Sequence, residues 1–101
     1  MSIIRGTTPK LEFILPFDAE TLVDAYVTIS QNDVVVIDKP LTDCQCEDRK
    51  LFVMLTQEET LKLDCNCMSE IQIRAKTMSG EAIASNIIKT ETGRILKDGV
   101  I

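Results

Sequence analysis

Apolar and polar residues alternate along several short stretches of this chain, and no long stretch has a clean helical period. The clearest alternation lies in the segments 11–15, 25–30 and 71–76. Period two places every second side chain on one face of a strand. Turn-forming residues separate the stretches at roughly ten-residue spacing, as in a sandwich or small barrel. The pattern predicts an all-β fold, an immunoglobulin-like β-sandwich of six to eight short strands. The predicted core residues are Leu11, Phe13, Val27, Ile29, Val53, Leu55, Ile71 and Ile73.

One short helical link is expected near residues 56–63. Thr56 and Glu59 fit a capping box, in which the threonine caps the helix and the glutamate reaches back to it. Only about two turns fit before the polar segment 64–67. A helical crossover between late strands is typical of immunoglobulin-like sandwiches, so the link agrees with the predicted fold class.

Chain length and composition limit the domain organisation and the functions to consider. The 101 residues form a single domain, 1–101, with a net charge of −5 from 16 acidic and 11 basic residues. A negative charge opposes phosphate binding, and one tyrosine and three phenylalanines offer few platforms for base stacking. We therefore expect no nucleic-acid partner.

Catalysis and membrane insertion are not expected either. The sequence has no histidine, the usual general base, and no glycine-rich phosphate loop. No apolar run approaches the ~18–20 residues of a membrane span, and the start of the chain lacks the features of a signal peptide. The sequence predicts a protein of the cytoplasm that is not an enzyme and has no cofactor.

Four cysteines form two Cys-x-Cys pairs, Cys44 with Cys46 and Cys65 with Cys67. On paired strands, two such pairs could gather four sulfurs on one surface. A tetrathiolate zinc site, cross-strand disulfides and free thiols are the three interpretations. Structural zinc sites more often use Cys-x2-4-Cys spacing, and stable disulfides are rare in reducing compartments. Free thiols at strand ends are the preferred interpretation, and the four cysteines stay the only candidate metal ligands.

Residues 92–101 form a possible C-terminal arm. This segment is rich in apolar residues although disordered tails are normally polar. Docking on a neighbouring chain by strand addition and docking on its own domain are both open. The candidate interaction residues are Arg94, Ile95, Leu96, Lys97, Val100 and Ile101.

The chain resembles a group of small phage and prophage proteins of Firmicutes. Similar segments are 4–9, 15–18, 25–28, 55–61 and 93–99. These segments share the pattern of the fold and of the chain's ending, and they specify no activity. The four cysteines are not among them. The resemblance implies a virion-associated or assembly role in the tail or capsid. Its expected partners are copies of itself and other virion proteins, first in the bacterial host cytoplasm and then in the virion.

Two alternatives remain open from the sequence. A phage-encoded inhibitor of a bacterial defence protein would suit the small size and the acidic charge. A small four-cysteine zinc-binding module would suit the two Cys-x-Cys pairs. An oligomer favours the structural role, whereas a monomer is compatible with the inhibitor.

Overall fold

A computed structural model describes residues 2–101, which form an all-β, sandwich-like fold. The strands are β1 (Ser2–Ile4), β2 (Lys10–Ile14), β3 (Leu22–Gln31), β4 (Val34–Pro40), β5 (Cys44–Glu47), β6 (Lys50–Met54), β7 (Ser69–Thr77), β8 (Ala82–Ala84) and β9 (Ile88–Gly93). The single α-helix of the described residues is α1 (Gln57–Leu61), and short 3-10 turns occupy Ala19–Thr21 and Leu41–Asp43. The predicted fold class is confirmed, with nine strands in the described part of the chain instead of six to eight.

The strands form two sheets. The larger sheet has the order β1-β9-β7-β3-β4, and β8 pairs with β7 beside β9. The smaller sheet has the order β2-β6-β5. Neighbouring strands are antiparallel except β1 and β9, which run parallel. The strands β4 and β5 are consecutive in the chain but belong to different sheets, so the Leu41–Asp43 turn carries the chain from one sheet to the other.

The hydrophobic core lies between the two sheets and follows the alternation seen in the sequence. Seven of the eight predicted core residues are buried, and Phe13 is half-buried against the others. Burial of apolar side chains on both inner faces is the main source of stability in such a sandwich. The buried core cluster consists of Ile3, Leu11, Leu22, Ala25, Val27, Ile29, Ile37, Leu51, Val53, Leu55, Leu63, Ile71, Ile73 and Ala75.

The turn between β3 and β4 follows from its residue types. Asn32 and Asp33 have φ values of 50° and 64°, in the left-handed region that these two residue types tolerate. Beyond the turn, the register of β4 against β3 shifts between Ile29 and Ser30. Val36 is therefore an extra residue, a bulge at the edge of the larger sheet.

The capping box at α1 is confirmed. Thr56 Oγ1 accepts a hydrogen bond from Glu59 N at 3.1 Å, and Glu59 Oε1 accepts one from Thr56 N at 2.8 Å. The same carboxylate oxygen lies 2.9 Å from Lys39 Nζ, on β4. The cap thus also ties the helical link to the larger sheet.

After β7 the chain pairs back onto it as two separate strands, β8 and β9. Between β8 and β9, Ser85 N donates to Ile73 O at 2.9 Å and Ser85 Oγ accepts from Ile73 N at 3.0 Å. The serine side chain replaces a backbone partner at this point, so the ladder is broken there. The strand then resumes as β9 and continues to Gly93, so the first two residues of the predicted arm belong to the sheet.

Candidate interaction surfaces

The first cysteine pair lies on β5, at the edge of the smaller sheet. Cys44 and Cys46 are both half-buried, and both pack against the core. Burial raises the pKa of the Cys44 thiol to about 11, and nearby Cys46 and Asp43 add to this effect while Lys39 opposes it. Burial also raises the pKa of Cys46, again with help from nearby carboxylates. These thiols stay protonated at neutral pH and act as small apolar residues.

The second cysteine pair lies in the loop between α1 and β7. Cys65 is exposed and Cys67 is half-buried. Cys67 Sγ accepts a hydrogen bond from Asn32 Nδ2 at 3.2 Å and lies 3.6 Å from Asp64 Oδ2. This pair is therefore held against the turn between β3 and β4.

The structure does not bring the two pairs together. Cys67 contacts Asn32, in the turn that leads into one end of β4, whereas Cys44 Sγ lies 3.4 Å from the carbonyl oxygen of Pro40 at the other end. A seven-residue strand such as β4 spans roughly 20 Å. Within residues 2–101, no three His, Cys, Asp or Glu side chains are grouped so that they could hold a metal ion.

The predicted arm folds back on its own domain beyond β9. Ile95 is half-buried beside Gly6, whose added Cβ would lie 3.0 Å from Ile95 Cδ1. Gly6 has a φ of 73°, so both its conformation and this close approach favour glycine. Gln57, at the start of α1, exchanges two hydrogen bonds with the backbone of Ile101, at 2.8 and 3.0 Å. Asp98 Oδ1 lies 3.5 Å from Arg5 Nη1, within ion-pair distance.

Most side chains of this segment nevertheless face away from the domain. Leu96 and Ile101 are both 93% exposed, and Val100 is 54% exposed. The two basic candidates, Arg94 and Lys97, are exposed as well. Of the six predicted interaction residues, only Ile95 packs its side chain on the domain. Residues 94–101 are called the 94–101 strip below, and the strip exposes mainly apolar and basic side chains, with Asp98 as its one acid.

The free edge of β4 is a second apolar surface. Val34 and Val35 are 63% and 59% exposed, and β4 is the last strand on its side of the larger sheet. An exposed edge strand offers unpaired backbone groups to another chain. The bulge at Val36 and the residues Lys39 and Pro40 restrict such pairing.

A third surface, which the sequence did not predict, lies on the outer face of the larger sheet. A shallow groove of about 410 Å³ lies there around Tyr26, which is 44% exposed. Arg74 and Lys76 line the groove from β7. The sequence contained one indication of this surface, because Tyr26, the one tyrosine, alternates with apolar residues that point into the core. The lining residues are Asp24, Ala25, Tyr26, Thr28, Asp38, Arg74, Ala75, Lys76 and Ala82.

No protein-family model, curated protein or solved structure matches the chain. Within residues 2–101, no helix has the length and apolar character needed to cross a membrane.

Proposed function

We propose that this chain is a non-enzymatic structural or adaptor protein of a phage particle, associated with the tail or capsid. It acts through contacts with copies of itself and with other virion proteins. The observation that carries the contact role is the exposure of Leu96 and Ile101 on a segment otherwise tied to the domain. Contiguous exposed apolar side chains are typical of binding surfaces. The phage assignment comes from the resemblance of the sequence segments described above.

The geometry of the sandwich supports a contact role in a second way. The 94–101 strip is tied to the domain at two points, by the side chain of Asp98 on Arg5 and by the backbone of Ile101 on Gln57. Partner binding would therefore cost the strip less conformational entropy than it would cost a free tail. The mixed apolar and basic character of the strip suits a partner surface with apolar pockets and acidic residues at its rim.

The inhibitor of a bacterial defence protein is the second candidate. The net charge of −5 favours it, because an acidic surface can compete with nucleic acid for a basic site. This candidate acts as a single copy and needs no self-association. The zinc-binding module would require Cys44 and Cys67 to leave opposite ends of β4, so the structure gives it no support.

Size-exclusion chromatography with light scattering, over a range of protein concentrations, separates the two leading candidates. A ring or another discrete multimer is the expected result for the assembly protein. A monomer at every concentration would contradict self-assembly and would favour the inhibitor.

A further inference from the structure

The outer face of the larger sheet carries two cross-strand pairs in register. On β3 and β7, Asp24 lies opposite Lys76 and Tyr26 lies opposite Arg74. These four side chains are exposed, whereas Ala25, between Asp24 and Tyr26, is buried. The sheet therefore presents an acid and an aromatic ring on one strand beside two cations on the next.

The charged groups of this face have no ion pair within the described chain. The ion pairs of residues 2–101 join Arg5 to Asp98, Lys39 to Glu59, and Lys50 to Glu12. Asp24 accepts one hydrogen bond, from Ala25 N at 3.0 Å. By contrast, an acid and a base form an ion pair on the outer face of the smaller sheet, where Glu12 Oε1 lies 3.2 Å from Lys50 Nζ. The unpaired charges of the larger sheet can therefore bind a complementary surface.

We propose that this face, centred on Tyr26, is the contact surface between two copies of the chain. A twofold axis parallel to the strands, between β3 and β7, places β3 of one copy over β7 of the other. The shared register then sets Asp24 over Lys76 of the second copy, and Tyr26 over Arg74 of the second copy. Each contact occurs twice, as an isologous interface requires.

The chemistry of these contacts fits an interface centre. Tyrosine and arginine are, with tryptophan, the residue types enriched among those that dominate binding energy, and a guanidinium over an aromatic ring adds a cation–π attraction. Ala82 and Ala84 lie opposite Lys76 and Arg74 on β8. Their small side chains leave room for a second sheet to approach to about 10 Å, the usual packing distance.

This inference rests on the proposed self-assembly, and charge reversal tests it separately. Sedimentation velocity would compare the wild type with Asp24→Lys, Lys76→Asp and the double variant. Each single change sets like charges over one another and should raise the dimer dissociation constant about tenfold or more. The double change restores opposite charges and should bring the constant back to within about threefold of the wild type.

Tyr26→Ala is a further variant that leaves the charges unchanged, and it should weaken the dimer about tenfold or more. Glu12→Lys reverses a matched exposed acid on the other sheet and should leave the constant unchanged. Circular dichroism checks that each variant is folded. If a charge variant does not fold, the comparison of Tyr26→Ala with the wild type decides.

The outcomes distinguish this inference from the function on which it rests. A wild-type multimer that survives Asp24→Lys and Tyr26→Ala would overturn the proposed surface and leave the assembly role standing. Weakening by Glu12→Lys to the same degree would also overturn it, because the effect would then come from net charge. A wild-type chain that is monomeric at every concentration would contradict both.

Discussion

At the scale of single residues, Gln31 is the polar group on which the loop before β7 depends. Its side chain is buried, its Oε1 accepts from Asp64 N at 2.8 Å, and its Nε2 donates to Asp64 O at 2.9 Å. Nε2 also lies 3.2 Å from Ser69 Oγ, which is itself 3.2 Å from Thr92 Oγ1. This chain of hydrogen bonds crosses the larger sheet from β3 to β9.

Replacing Gln31 with leucine tests that role. The change leaves the backbone groups of Asp64 without their partner, so the free energy of unfolding should fall by about 2–3 kcal/mol. Gln45→Leu, at an exposed position on β5, is the matched control and should stay within about 0.5 kcal/mol. Urea denaturation measures both variants. Equal effects of the two changes would show that Gln31 does not hold the loop.

Glu59 should make the stability of the domain depend on pH. Burial alone would raise its pKa, but hydrogen bonds from Lys39 and Thr56 and the charge of Lys39 outweigh burial and hold the pKa below its ordinary value of 4.5. A lowered pKa in the folded state stabilises the fold above the unfolded value, and this contribution is lost as the pH falls through the folded value.

Glu59→Gln should therefore destabilise the protein at neutral pH and converge on the wild type as the pH falls below 4.5. Thermal unfolding from pH 7 to pH 3 shows whether the two curves converge. Glu58→Gln, on the exposed side of α1, is the control and should not change the pH dependence. A constant difference between Glu59→Gln and wild type at all pH values would mean that the charge of Glu59 is not involved.

At the scale of elements, the sequence predicts what local chemistry determines. Asn32 and Asp33 specify the turn after β3, and Thr56 with Glu59 specifies the start of α1. The sequence does not predict the break between β8 and β9 at Ser85, because the break depends on a hydrogen-bond partner in β7. The parallel pairing of β1 with Glu91, Thr92 and Gly93 is also a long-range contact that local pattern does not contain.

Ending the chain at Gly93 tests how far the 94–101 strip contributes to the fold. The deletion removes one half-buried apolar side chain, Ile95, together with a partly exposed ion pair and two exposed hydrogen bonds. The expected cost is about 1–2 kcal/mol, with a cooperative unfolding transition retained. Partner or self-association should weaken in the same variant.

Loss of cooperative unfolding in that variant would contradict this view of the strip. It would mean that the strip belongs to the core. Gly6→Ala is a companion change that keeps the strip, because its Cβ would press on Ile95 Cδ1 and its φ of 73° strains alanine, so the change disturbs the site where Ile95 packs. It should reproduce the loss of association if the position of the strip matters.

At the scale of the whole molecule, the pairing of strands decides which candidate sites exist. The sequence predicts the fold class and most core residues, because burial follows the period-two pattern. It does not predict that β4 separates Cys44 from Cys67, nor that Asp24 and Tyr26 line up with Lys76 and Arg74. Both facts depend on the register of strands that are distant in sequence.

The central claim, that the chain is a structural part of a phage particle, is tested most directly on particles themselves. Particles induced from a strain that encodes the chain would be purified on a density gradient, washed in high salt and analysed by quantitative mass spectrometry. A structural part of the particle should appear in the particle fraction at a fixed number of copies per particle. Recovery of the chain only from the lysate, with none in intact particles, would contradict it.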